Sequence, residues 1–128
     1  MKLQQSAENY LETIYMLTNT RGSCRSVDIA KELGFSKPSV SVAMKNLREN
    51  GYIDVMGDGR IVLLEPGRKI AAELFERHTI LTKCLIAIGV PEDIASEDAC
   101  KVEHIISKET FEAIKGSMEN HQKFTGEK

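Results

Sequence analysis

Apolar positions along this chain recur first at helical spacing, then briefly at strand spacing, then at helical spacing again. Tyr10, Leu11, Ile14, Tyr15 and Leu17 line one face of a helix predicted over residues 5–19, which Arg21-Gly22-Ser23 ends. Ser26 precedes a short helix, Val27 to Leu33, stopped by Gly34. Ser36 is suited to cap the next helix. Pro38 falls in its first turn, where the missing N–H costs little. That helix runs to Glu49-Asn50 with Val40, Met44 and Leu47 at i, i+4, i+7, and it stops at Gly51. The period then changes. Tyr52–Met56 and Arg60–Leu64 read as two short strands around the hairpin turn Gly57-Asp58-Gly59. Pro66 opens a long helix that Gly89 ends, with Ile70, Leu74, His78, Leu81, Leu85 and Ile88 as its inward seam. Pro91-Glu92-Asp93 starts a short turn of helix. Ser96 is expected to cap a separate one, with Glu97 and Asp98 favourable in its positive first turn. A last helix covers roughly residues 108–121, followed by a frayed tail to Lys128.

Two short helices joined at a glycine, then a capped helix and a hairpin, describe a winged helix-turn-helix. The predicted fold is therefore mainly α. A winged helix-turn-helix DNA-binding domain occupies residues 1–66, and a helical domain follows over residues 67–128. Ala30 is small where two helices cross, Gly34 makes the sharp turn, and Val40 packs the second helix back on the first.

Composition narrows the function. With 128 residues, 41% of them apolar, the chain can fold without staples. It has no Trp and 5% aromatic residues, which argues against a large aromatic ligand cage. No apolar run is long enough to span a membrane, and Met1 to Ser6 lacks the apolar stretch of a signal peptide, so a cytoplasmic location is expected. Three cysteines without a CxxC pair argue against a disulfide framework and a zinc ribbon. Cys24 and Cys84 are expected to be packing residues, and His121 a surface one. The net charge of −2 hides an asymmetry: nine Lys/Arg stand against six Asp/Glu in residues 21–69, and seven against eleven in residues 70–128. A basic middle can face a polyanion and an acidic second half can hold cations.

The exposed side of helix 37–50 is the natural reading head. Ser36, Lys37, Pro38, Ser39 and Ser41 lie at its N-terminal end, the end that usually meets base edges in duplex DNA. Lys45, Arg48, Arg25 and, at the wing, Arg60 are placed to neutralise phosphates.

A second constellation lies further on. Cys100, Glu103 and His104, at i, i+3 and i+4 of one predicted helix, share a face. Thiolate, carboxylate and imidazole make a ligand set for a divalent transition metal, although the same residues alone describe a solvated helix face. His78 interrupts an apolar seam and needs a partner there, either a ligand role or a backbone carbonyl. Asn9 and Glu12 stand at i and i+3 beside the apolar face of the first helix. Three helices thus each bring N, O or S donors next to their inward faces.

Four motifs in this order, "ENYLETIYML", "IAKELGFSKPSVSVAMKNLRENGYI", "ERHTIL" and "ACKVEHIIS", resemble the diphtheria-toxin-repressor and manganese-transport-regulator family of bacterial metal-activated repressors. The resemblance covers residues 6 to about 110. It implies a homodimer in which each winged helix precedes a helical dimerisation domain, without the SH3-like third domain of longer members. It also implies a metal site made by Asn9, Glu12, His78, Cys100, Glu103 and His104. The set is mixed. Iron-sensing members carry Met, and manganese sensors Asp, at the position of Asn9. Glu12 matches the manganese branch, and Cys100 matches the iron branch, where manganese sensors have Glu. An ancillary iron-branch site, to which His78 would belong, meets the poor ligands Thr82 and Ser96 here. The implied cofactor is Fe²⁺ or Mn²⁺, with Zn²⁺ or Co²⁺ accessible in vitro and no organic cofactor. The implied function is repression of metal-uptake genes at operator DNA. A dimer reads half-sites about one helical turn, ~34 Å, apart. The competing reading is a thiol-based redox regulator using Cys100 beside His104. A metalloenzyme lacks a nameable acid/base pair, so no catalysis is expected.

Overall fold

The computed structural model describes residues 4–125, and the side chains of residues 4–119. In chain order the elements are α1 (Gln5–Arg21), α2 (Ser26–Leu33), α3 (Lys37–Glu49), β1 (Ile53–Val55), β2 (Ile61–Leu63), α4 (Glu65–Ala87), α5 (Glu92–Val102) and α6 (Lys108–Thr125). They divide into two compact units, Met1–Glu73 and Leu74–Lys128.

In the first unit, glycine punctuation makes the helix-turn-helix. Gly34 adopts a left-handed φ of 70° and its N–H closes on the Ala30 carbonyl at 2.9 Å, which turns the chain out of α2. Ser36 then caps α3, its Oγ accepting from the Ser39 N–H at 3.3 Å, with Pro38 in the first turn. The inward faces of these helices meet over Leu11, Ile14, Leu17, Cys24, Ile29 and Val40, closed from the sheet by Ile53 and Ile61. Each such aliphatic side chain contributes roughly 1.5–3 kcal/mol on burial. β1 and β2 pair antiparallel with Ile53 opposite Leu63 and Val55 opposite Ile61. The predicted strands each lose their end residues to the turn and its flanks. The Ile61 N–H donates to the Cys24 carbonyl at 2.7 Å, so the wing is tied to the α1–α2 connection as well as to its own partner strand. Gly67, in the first turn of α4, is required by close approach: a Cβ there would run into the Tyr52 carbonyl oxygen.

The second unit corrects the predicted helix boundaries in three places. First, no break occurs at Ser96. α5 is one helix with Pro91 at its N-cap and Glu92 and Asp93 in its first turn, so the capping pattern Ser96-Glu97-Asp98 lies in mid-helix. Second, α5 ends at Val102, so Cys100 is helical while Glu103 is the C-cap and His104 follows in a turn. Glu103 keeps a helical backbone and its N–H still bonds to the Ala99 carbonyl, so the turn continues the helical course at its start. Third, Ile88 is not part of an inward seam: α4 stops at Ala87, and Ile88 is 73% exposed. Leu74 and Leu81 are buried as expected, and so are Ala95, Ala99 and Phe111. Ser107 caps α6 through the Thr110 N–H at 3.0 Å. That helix reaches Thr125, beyond the predicted end. The His121 side chain and the tail at 126–128 lie outside the described residues. No described helix is long and apolar enough to cross a membrane.

Candidate metal centre and nucleic-acid interface

The first unit presents the expected reading face. Ser36, Lys37, Pro38, Ser39, Ser41, Lys45 and Arg48 are all exposed, because Val40, Met44 and Leu47 commit the opposite side of α3 to the core. Ser26, Ser41, Met44, Lys45, Arg48, Glu49 and Val55 line a groove beside it. Sequence patterning alone does not single out Val42. It is 61% exposed on this face, an apolar side chain in a polar setting, and its displacement from the buried stripe was the available signal. Such a group suits a thymine methyl.

The arginines of this face are organised by acids. Asp58, at the wing tip, takes Arg60 Nε at 2.8 Å and lies 3.9 Å from Arg25 Nη2, while its carbonyl accepts from Arg25 Nε at 3.2 Å. Arg48 Nε stands 3.5 Å from Asp54 Oδ1. The Arg60 backbone N–H, with the charges of Arg60 and Arg25, holds the Asp58 carboxyl below its usual range. Arg25 also serves locally: its backbone N–H donates to Asp28 Oδ2 at 2.9 Å at the start of α2.

The second unit holds the metal-type donors. Glu103 is fully buried, and such a carboxylate requires partners. His78 Nδ1 lies 3.0 Å from Glu103 Oε1 and His104 Nε2 lies 3.5 Å from Glu103 Oε2. The other ring nitrogen of His78, Nε2, is 3.4 Å from the Ser96 hydroxyl. The seam histidine is thus satisfied by side chains from α5 and the turn after it, not by a backbone carbonyl. Ser96 is used as a hydrogen-bonding partner rather than as a helix cap. Cys100 is half-buried near the end of α5. Asn9 and Glu12, one turn apart and half-buried, belong to α1 in the first unit. Cys24 is wholly buried and its thiol is pushed up to about 11, chiefly by burial, which fits packing rather than reactivity.

The 3.0 Å contact between His78 and Glu103 is of hydrogen-bond length, and it gathers imidazole nitrogen and carboxylate oxygen in the second unit. Nitrogen and carboxylate oxygen together suit the middle of the first transition row.

A winged reader, and a helical unit built around a buried carboxylate between imidazoles, define a DNA-binding transcriptional regulator of the metal-dependent class. Residues 2–60 match the family described as iron dependent repressor, N-terminal DNA binding domain, and residues 64–124 match its metal binding and dimerisation domain. The chain belongs to the iron-dependent repressor family. It is 36% identical over 114 residues to the transcriptional regulator MntR of Escherichia coli O6:H1, covering 89% of this chain and 74% of the relative. It is 31% identical over 109 residues to the iron-dependent repressor IdeR of Mycobacterium bovis, covering 84% of this chain and 47% of the relative. A manganese-dependent transcriptional repressor solved with manganese superposes with a TM-score of 0.79 at 25% identity, over 87% of this chain. This chain spans 51% of that structure's length.

Proposed function

We propose that this chain is a metal-activated repressor of metal-uptake genes, acting as a cytoplasmic homodimer on operator DNA and catalysing no reaction. The observation that carries the reading is Glu103, fully buried and flanked by two imidazoles in the part of the chain that matches a metal-binding domain. The ligand set is the one the family resemblance implies: His78, Cys100, Glu103 and His104 with Asn9 and Glu12 of α1. The cofactor is Fe²⁺ or Mn²⁺. A bound divalent cation supplies positive charge to a carboxylate that water cannot reach. Without metal, His78 meets Glu103 through one ring nitrogen and the Ser96 hydroxyl through the other, so ligation by His78 would replace one of these contacts while the other orients the ring.

On the DNA side, Ser36, Lys37, Pro38, Ser39 and Ser41 address base edges in the major groove, joined by Val42. Arg25, Lys45, Arg48 and Arg60 contact phosphates. Metal binding and operator binding then strengthen each other by the same factor. The test is operator affinity measured anaerobically with and without Mn²⁺ or Fe²⁺. The reading expects a rise of about 5-fold to 150-fold with metal. Equal affinity with and without every metal tried rejects it.

A further inference from the structure

Glu103 and His104 lie just past the last residue of α5, in the turn that leads to α6. The turn they occupy keeps short backbone bonds at its start: Glu103 N–H to the Ala99 carbonyl at 2.9 Å, and the Ile105 and Ile106 N–H groups to the Val102 carbonyl at 3.0 and 3.2 Å. Its own carbonyls face a different partner. Arg77 Nη1, on α4, donates to the Glu103 carbonyl at 3.1 Å and to the Ile106 carbonyl at 3.0 Å. The same guanidinium lies 5.5 Å from the centre of the Phe111 ring, on α6. One side chain thus ties α4 to the turn and to the helix after it.

The neighbouring residue completes the hold. Arg77 takes the main-chain oxygen of Glu103, while His78 meets its side-chain oxygen at 3.0 Å. Consecutive residues of α4 therefore fix Glu103 at both ends. An arginine suits this place for two reasons. Carbonyls at a helix C-terminus carry partial negative charge and need donors. A planar guanidinium can also donate to two carbonyls while stacking on an aromatic ring, which the compact ammonium of lysine cannot reproduce.

We infer that Arg77 is a positioning residue for the metal site: its grip on the Glu103 and Ile106 carbonyls sets the turn from which Glu103 and His104 present their donor atoms. This rests on the metal-site reading above and adds to it a residue that touches no metal.

The test uses the full chain under anaerobic conditions, titrated with Mn²⁺, with the Co²⁺ absorption spectrum as a report on ligand geometry. Wild type is compared with Arg77→Met, Arg77→Lys and Glu76→Gln. The last removes a Glu76–Lys115 ion pair at 2.8 Å that also joins α4 to α6 but lies away from the turn. Arg77→Met is expected to weaken Mn²⁺ binding by about 10-fold to 100-fold and to alter the Co²⁺ spectrum. Arg77→Lys should recover only part of this, and Glu76→Gln should behave as wild type. The thermal midpoint of each metal-free variant separates loss of positioning from loss of fold. If Arg77→Met does not fold, Arg77→Lys carries the decision. The assignment is overturned if the folded Arg77 variants bind Mn²⁺ like wild type, or lose no more affinity than Glu76→Gln. A wild-type chain that binds no metal overturns the metal reading itself, and the role of Arg77 with it.

Discussion

Two groups of side chains bring a carboxylate against basic residues, and they are built on different terms. At the wing, Asp58 joins Arg25 and Arg60 with every partner about half exposed. In the second unit, Glu103 meets His78 and His104 with its own side chain fully buried. Water screens the first cluster, so each contact is worth little and can be exchanged for another anion. The second is shielded, so its carboxylate must be matched closely by whatever approaches it. The difference teaches where each kind of ligand belongs: a polyanion at the cluster that exchanges partners cheaply, a compact cation at the one that cannot leave its charge unmatched.

The sharpest way to break this contrast is to neutralise each acid in turn. Glu103→Gln should weaken Mn²⁺ binding by about 100-fold and abolish the metal effect on operator affinity. Its metal-free fold should be retained, because Gln keeps the shape of the side chain. Isothermal titration and denaturant melts on one sample read both, and a variant that keeps its metal response removes Glu103 from the site. A smaller effect is expected at Gly67. Gly→Ala inside a helix ordinarily stabilises by roughly 1 kcal/mol. Here the methyl meets the Tyr52 carbonyl, so Gly67→Ala should destabilise by about 1–3 kcal/mol in urea unfolding. A gain in stability would contradict the packing of α4 on the wing. Smaller again, Lys45→Ala should flatten the salt dependence of DNA binding by about one unit of slope with little change in sequence preference. Equal slopes in the two proteins would take Lys45 off the phosphate path. Least of all, the Asp58 contribution to stability should depend on pH. A carboxyl held below its usual range contributes above the ordinary Asp value near ~3.9, and that contribution is lost as pH falls through its lowered folded value. Thermal midpoints of wild type and Asp58→Asn should therefore converge in acid, and a constant gap across that window would count against the wing contact.

Much of this was legible from residue order. Gly34 and Ser36 with Pro38 mark the helix-turn-helix because each residue has one physical job there, and Gly57-Asp58-Gly59 marks the wing for the same reason. α5 was misread at both ends. Ser96-Glu97-Asp98 satisfies the rules for a helix start, but Pro91 already starts the helix and the Ser96 hydroxyl turns to His78. At the other end, nothing between Cys100 and Ser107 is a glycine or a proline. Past the end of the helix the Glu103 and Ile106 carbonyls take their hydrogen bonds from Arg77, more than twenty residues earlier, and local patterning does not register so distant a donor. The donors His78, Glu103 and His104 were identifiable as residue types. What spacing could not register is how His78, on α4, meets Glu103 across the second unit, because that contact joins residues far apart in the chain.

Asp58 has one more consequence. DNA binding is driven largely by releasing the small cations condensed on phosphates, and the anions around a protein's own basic groups join that exchange. Arg25 and Arg60 already carry an internal counterion, covalently part of the wing. When a phosphate replaces it, no free anion leaves those two side chains; a tethered carboxylate is set loose instead. Such a wing discourages casual attachment to any duplex and favours a fit good enough to displace a competitor that never diffuses away.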